Sequence, residues 1–426
     1  MGNNNIQKAA NEDIDVLVRQ AVFGETNEVK EKSRHAIREK AARMGILPAS
    51  IQGLYEASGQ GAYYGITVPA INIRMICYDS ARAVFRAALK DNVGAFIFEI
   101  ARSEIGYTEQ SPAEYAACIL AAAIKEGFRG PVFIQGDHYQ VRRAMYRENP
   151  EKELNDIKTL IKDSINAGFY NIDIDASTLV DISKEDLAEQ QEKNSLVTGE
   201  MTKYIRNIEP EGVTVSIGGE IGEIGKGNST PEELKAFMSE YRKVIGSGIK
   251  GISKISVQTG TTHGGVVLPD GSIAKVKIAF DTLKELSREA RDEYGLGGAV
   301  QHGASTLPDE AFDMFPKVEA VEVHLATGFQ NIVYDSPSFP KELTEQVHSY
   351  LETNCANEKK EGETQEQFYY KTRKKAFGPF KEQMWDMPVD KLDRIMTELE
   401  ERFSLMFHKL NAINTTDLVK KYVTIP

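Results

Sequence analysis

The chain has 426 residues, 41% of them hydrophobic and 27% charged, which is enough for two domains or for one large α/β barrel with additions. A formal net charge of −12 argues against general nucleic-acid binding but not against a small anionic substrate, which needs only a local cluster of cations. No apolar run of about 18 residues that would span a bilayer is present.

Cys77, Cys118 and Cys355 are widely spaced and read as reduced packing residues of a cytoplasmic protein. The polar, acidic start of the chain lacks the basic-then-apolar pattern of a secretory signal.

Residues 11–60 carry helical patterns closed by Gly45 and Pro48, so 1–64 is expected to be an N-terminal helical extension. A regular alternation follows. Strands are predicted over 67–74, 94–101, 131–137, 171–177, 214–220, 254–259, 298–303 and 320–326. Helices are predicted between them, at 80–90, 112–126, 153–166, up to Ile208, 231–245, 279–294 and 308–315. Eight such units in about 260 residues is the length of a (β/α)8 barrel. An open doubly wound sheet would place a phosphate-binding glycine turn after the first strand, and none follows Arg74. The expected architecture is therefore an α/β (β/α)8 TIM barrel over 65–339, followed by a C-terminal helical extension over 340–426. In that extension Ile395, Leu399, Phe403, Met406 and Leu410 form an apolar stripe that packs on the barrel or on a second subunit.

The third strand, PVFIQ, runs directly into Gly136, Asp137 and His138, polar groups that an apolar interior would reject. An isolated Asp-His pair more often caps a helix than does chemistry. Here the other strand tips change the weighing: Asp173 and Asp175 on the fourth, Glu220 on the fifth, His263 beyond the sixth, His302 and Ser305 on the seventh, His324 and Thr327 on the eighth. Four of the seven histidines fall at these tips. Three neutral imidazoles with an open coordination position match a catalytic zinc site. The glycines at 264, 265 and 303 suit either a phosphate cradle or plain turns.

Asp137-His138, the run GEIGEIG at 219–225, THGG at 262–265 and HGAS at 302–305, in that order, resemble the class II, zinc-dependent ketose-bisphosphate aldolases over residues 65–335. The resemblance implies zinc on His138, His263 and His302, with Glu220 as the acidic residue beside it and a monovalent cation near the phosphate loops. It implies that Asp137 and a loop glutamate, for which Glu223 is the candidate, move the protons. It further implies substrate contacts from Asn72, Gly264, Gly303, Ser305, His324 and Thr327, and a homodimer or higher homo-oligomer acting on a phosphosugar in glycolysis and gluconeogenesis. On the eighth strand the family pattern has asparagine, aspartate and threonine where this chain has His324, Ala326 and Thr327. The basic residues Arg373, Lys374, Lys375 and Lys381 are candidates for a second phosphate, with a solvated charge run as the alternative. A tagatose-bisphosphate aldolase, a zinc-dependent sugar-phosphate epimerase and a non-catalytic aldolase partner subunit stay open as other readings.

Overall fold

The computed structural model describes residues 13–222, 227–260, 268 and 278–425. Nine strands follow one another: β1 (Ile46–Ala49), β2 (Val68–Asn72), β3 (Ile97–Ala101), β4 (Gly130–Gln140), β5 (Asn171–Asp175), β6 (Ser216–Glu220), β7 (Lys254–Val257), β8 (Ala299–Gln301) and β9 (Glu322–Leu325). All pairings are parallel, and β2 to β9 close through the β4–β5 pairing into an eight-stranded barrel surrounded by helices, a (β/α)8 TIM barrel.

The segment expected to be wholly helical also supplies β1. Its four residues pair with the start of β4, from Ile46 opposite Gly130 to Ala49 opposite Phe133. Pro48 sits here without cost because β1 is bonded on one side only among the described residues. Further along β4 the same edge passes to β5, where Gln135 faces Asn171. Asn171 fastens the junction: its Oδ1 accepts from the Ile51 amide at 2.9 Å, and its Nδ2 donates to the carbonyls of Ala49 at 3.2 Å and Ile134 at 3.0 Å.

Side chains alternate across each strand, so one set of every second residue fills the barrel. At the N-terminal end the filling is apolar: Val68, Ala70, Ile97, Phe133 and Val300, closed from below by Leu54 and Tyr55 of the helix Gln52–Gly59. Two residues up the strands it becomes ionic, with Glu99, Gln135, Asp173, Lys254 and Glu322 all buried. Two further still stand Asp137, Asp175, Ser256, His302 and His324. Gly218 on β6 makes room for the ionic layer, since a Cβ there would lie 2.3 Å from Asp173 Oδ1 and 3.0 Å from Lys254 Cε.

The C-terminal stripe packs on the chain's own barrel. Ile395, Leu399, Phe403 and Met406 of the helix Val389–Lys409 are buried against the helices Cys77–Lys90 and Thr327–Asp335. The two extensions also meet each other: Trp385 stacks on Tyr78 at 6.3 Å and takes Phe23 edge-on at 5.2 Å, while Arg19 reaches Asp386 at 2.7 Å. All three cysteines are free and buried, as expected for packing residues.

Replacing Asn171 by alanine strands three buried backbone groups and is expected to destabilise the fold by about 3 kcal/mol or more in urea unfolding. A loss below about 1 kcal/mol would show that β1 is not held this way.

Candidate active site

The tip of β4 breaks the alternation that built the strand. Its pairing with β5 shifts between Gly136 and Tyr139, and His138 takes a left-handed backbone conformation at φ +41°. Such a bulge re-aims side chains, so that neighbours in sequence, Asp137 and His138, both face the barrel mouth. Tyr139 folds back against Gly136, where a Cβ would meet its ring carbon at 2.3 Å. The Tyr139 hydroxyl hydrogen-bonds Ser164 Oγ at 2.5 Å, anchoring the turn on the helix Pro150–Ala167.

His138 Nδ1 lies 3.2 Å from Asp175 Oδ2 and 3.3 Å from Glu220 Oε2. Asp175 in turn accepts from Gln140 Nε2 at 2.6 Å and Ser177 Oγ at 2.7 Å, so of the two β5 aspartates it is Asp175 that orients the histidine. Asp173 belongs to the ionic layer, 3.0 Å from Lys254 Nζ. Rings of His138 and His302 stand 4.1 Å apart, and those of His302 and His324 4.0 Å apart. Donor atoms of His138, Glu220 and His302 all fall within 4.8 Å of one another, a set that fits a divalent metal ion. Glu220 is held from behind: Asn194 Nδ2 donates to its carbonyl at 2.7 Å, and Gln191 Nε2 to that of Ile221 at 2.9 Å.

Burial by itself would pull the His138 imidazole down, but Asp137, Glu220 and Asp175 outweigh it and raise its pKa well above the ordinary value. Burial and the Asp175 carboxylate push the Glu220 carboxyl up to about 7, against the pull of His138. Burial and Asp137 likewise raise Glu99. A metal ion binding here would compete with protons for these groups.

Above the histidines opens a cavity of about 430 Å³ whose lining includes Asp137, His138, His302, Gly303, Ser305, His324 and Thr327. Ser305 Oγ accepts from the Ala326 amide at 2.6 Å, and Gly303 has φ +69°. Asn72 points elsewhere: it is buried and donates to Glu104 Oε2 at 2.6 Å, while Arg74, two residues on, reaches the cavity. Glu223, His263 and Gly264 lie outside the described residues.

The rim of the cavity is basic, with Arg74, Arg102, Arg142 and Lys374 in its lining. Arg74 pairs with Glu104 at 2.6 Å, and Glu153 binds both Arg102 and Arg142 at 2.5 Å. The C-terminal basic run divides. Arg373 pairs with Asp335, Lys375 with Glu358 and Lys381 with Glu114, whereas Lys374 enters the cavity lining. Desolvation and the Arg74 guanidinium hold the Lys374 ammonium below its ordinary pKa. Glu99, Lys254 and Glu322 went unremarked in the sequence; the available signal was a charged residue at an alternate position inside an otherwise apolar strand.

The sequence model of class II fructose-bisphosphate aldolase matches residues 56–398. The chain belongs to that family. The match runs beyond the span of the four motifs and takes in most of the C-terminal helices. No curated protein matches the chain significantly. Among solved structures, a fructose-bisphosphate aldolase (Fba) from Campylobacter jejuni superposes with a TM-score of 0.52 at 18% identity, covering 87% of this chain and 97% of that one. A probable tagatose 6 phosphate kinase from Sinorhizobium meliloti 1021 superposes with a TM-score of 0.55 at 14% identity, covering 83% and 93%. At such identities the likeness is one of fold. Aldolases of this class are generally metal-dependent, and the cluster at the barrel mouth suits that chemistry. No described helix is long and apolar enough to cross a membrane.

Burial raises the Glu153 carboxyl, but hydrogen bonds from Arg142 and Arg102 outweigh it and bring it down to about 2 from an ordinary 4.5. With the folded value below the unfolded one, this stabilisation is complete above the ordinary value and disappears as pH falls toward the folded one. Glu153→Gln is therefore expected to cost about 2–3 kcal/mol at pH 7 and to flatten the acid side of the stability curve. Urea unfolding across pH 2–7 measures both, and an unaltered acid side would contradict the pairing.

Proposed function

We propose that this aldolase-family protein catalyses the reversible cleavage of fructose 1,6-bisphosphate to dihydroxyacetone phosphate and glyceraldehyde 3-phosphate. The observation that carries this reading is the meeting of His138, Glu220 and His302 donors within 4.8 Å, with Asp137, His138 and His302 lining one cavity. Zinc held by His138, His302 and the sequence-assigned His263, with Glu220 at hand, would supply a Lewis acid for the ketone carbonyl.

In cleavage, Asp137 takes the proton of the hydroxyl on the fourth carbon. The bond between the third and fourth carbons breaks, its electron pair stays with the ketone-bearing half as an enediolate, and the other half leaves as the aldehyde. Glu223 then returns a proton to the third carbon, completing dihydroxyacetone phosphate; condensation runs these transfers backwards. Gly264, Gly303, Ser305 and Thr327 cradle the phosphate of the ketone half, and His324 faces its polar groups. Arg74, Arg102 and Lys374 on the rim suit the second phosphate, which favours a bisphosphate over a monophosphate.

His302→Ala is expected to lose bound zinc and at least about a thousandfold in cleavage, with its circular dichroism unchanged. The assay is run on fructose and tagatose bisphosphates in parallel. Triose phosphates from neither sugar, in zinc-loaded wild-type protein, would overturn the assignment; release from tagatose bisphosphate alone would reassign the substrate.

A further inference from the structure

We propose that His324, with Asp137 and His302, forms a second position for a divalent cation, adjoining the His138–Glu220–His302 set. It rests on the metal-binding part of the reading above and is independent of the aldol step. Donor atoms of Asp137, His302 and His324 all lie within 4.8 Å of one another, and all three side chains are buried.

His324 is 5% exposed. Oxygens crowd it: Glu99 Oε2 lies 2.9 Å and Asp137 Oδ1 3.2 Å from its Nδ1, and Glu322 Oε1 lies 2.6 Å from its Nε2. Yet neither ring nitrogen makes a hydrogen bond of acceptable geometry among the described residues. A proton bridges a nitrogen and an oxygen only when the three are close to a line. A metal ion needs only that the donors converge at coordinating distance, and an imidazole beside carboxylates is a good zinc ligand set.

Charge points the same way. Among the described residues, six buried carboxylates, Glu99, Asp137, Asp173, Asp175, Glu220 and Glu322, share the barrel interior with Lys254 and the imidazoles of His302 and His324. Lys254 is committed to Asp173 and Glu322. Glu99 and Asp137 meet His324 instead. A third convergent group, Glu99, Glu322 and His324, is the weaker candidate, because Lys254, Gln135 and Tyr55 already occupy both oxygens of Glu322.

Since His302 serves both sets, the test weakens the first set at His138 and reads the second at His324. Cobalt(II) is titrated into metal-free His138→Ala and into the double variant His138→Ala/His324→Asn, following visible absorption and the bound ion by equilibrium dialysis. The single variant is expected to bind one cobalt ion. The double variant is expected to bind it more weakly, by at least the 10- to 100-fold that loss of an outer-shell partner alone costs, with a changed spectrum. Equal affinity and identical spectra in the two would overturn the proposal, whatever the protein's activity on bisphosphates. Should His138→Ala fail to fold, anomalous scattering from cobalt-loaded wild-type crystals decides: the proposal requires a peak bonded to His324 at some metal loading, and its absence at every loading refutes it.

Discussion

An ammonium group with no access to solvent governs the inside of this barrel. Lys254 Nζ lies 2.5 Å from Glu322, 3.0 Å from Asp173 and 2.7 Å from the Gln135 side-chain oxygen Oε1, and the Tyr55 hydroxyl completes the cluster from below. Burial alone would lower the lysine's pKa, but Asp173 and Glu322 outweigh it and keep the group charged. Removing one partner from so deep a cluster costs about 3–5 kcal/mol, so its members constrain one another. Glu322 and Asp173 then face His324 from beneath. The ionic layer is thus the floor on which the histidine layer stands, and the apolar plug below seals it from the other end of the barrel.

That order of layers explains the concentration of carboxylates at the mouth. Burial raises the carboxyls of Glu99 and Glu220, and the neighbouring carboxylates of Asp137 and Asp175 add to the shift. At groups shifted upward, protons compete with a cation for the same donor atoms. A divalent cation arriving there exchanges such protons for its own charge, which couples metal binding to proton release and to stability of the fold. The C-terminal helices take part as well, since the segment that carries Lys374 to the rim is fixed by Arg373 on Asp335 and Lys381 on Glu114.

All eight barrel strands were legible in the sequence, because short apolar runs alternating with amphipathic helices leave few other folds. The polar tips were legible for the same reason: Asp137 and His138 stand out where an apolar run ends. β1 was not, since four residues that include Pro48 and follow a helix carry no periodic signal. The reversal at His138 was hidden too, because it belongs to the register shift that exists only once β4 pairs with β5. Lys254 and Glu322 are 68 positions apart, and only ring closure brings them together. Arg373, Lys374 and Lys375 look alike in a row; the fold separates them by giving the first and third a carboxylate and sending the second into the cavity. Asn72 shows another contact that the motif does not announce, its amide nitrogen donating to Glu104 just beyond the next strand's tip.

Protons and a divalent cation compete for the donor atoms of His138 and Glu220 at the barrel mouth. Zinc titration of metal-free protein by calorimetry near pH 6.5, repeated in buffers of different ionisation enthalpy, counts the protons released per ion bound. At least one proton is expected to leave as each chain takes up zinc. Tight binding with no proton released, or no zinc binding at all, would contradict it.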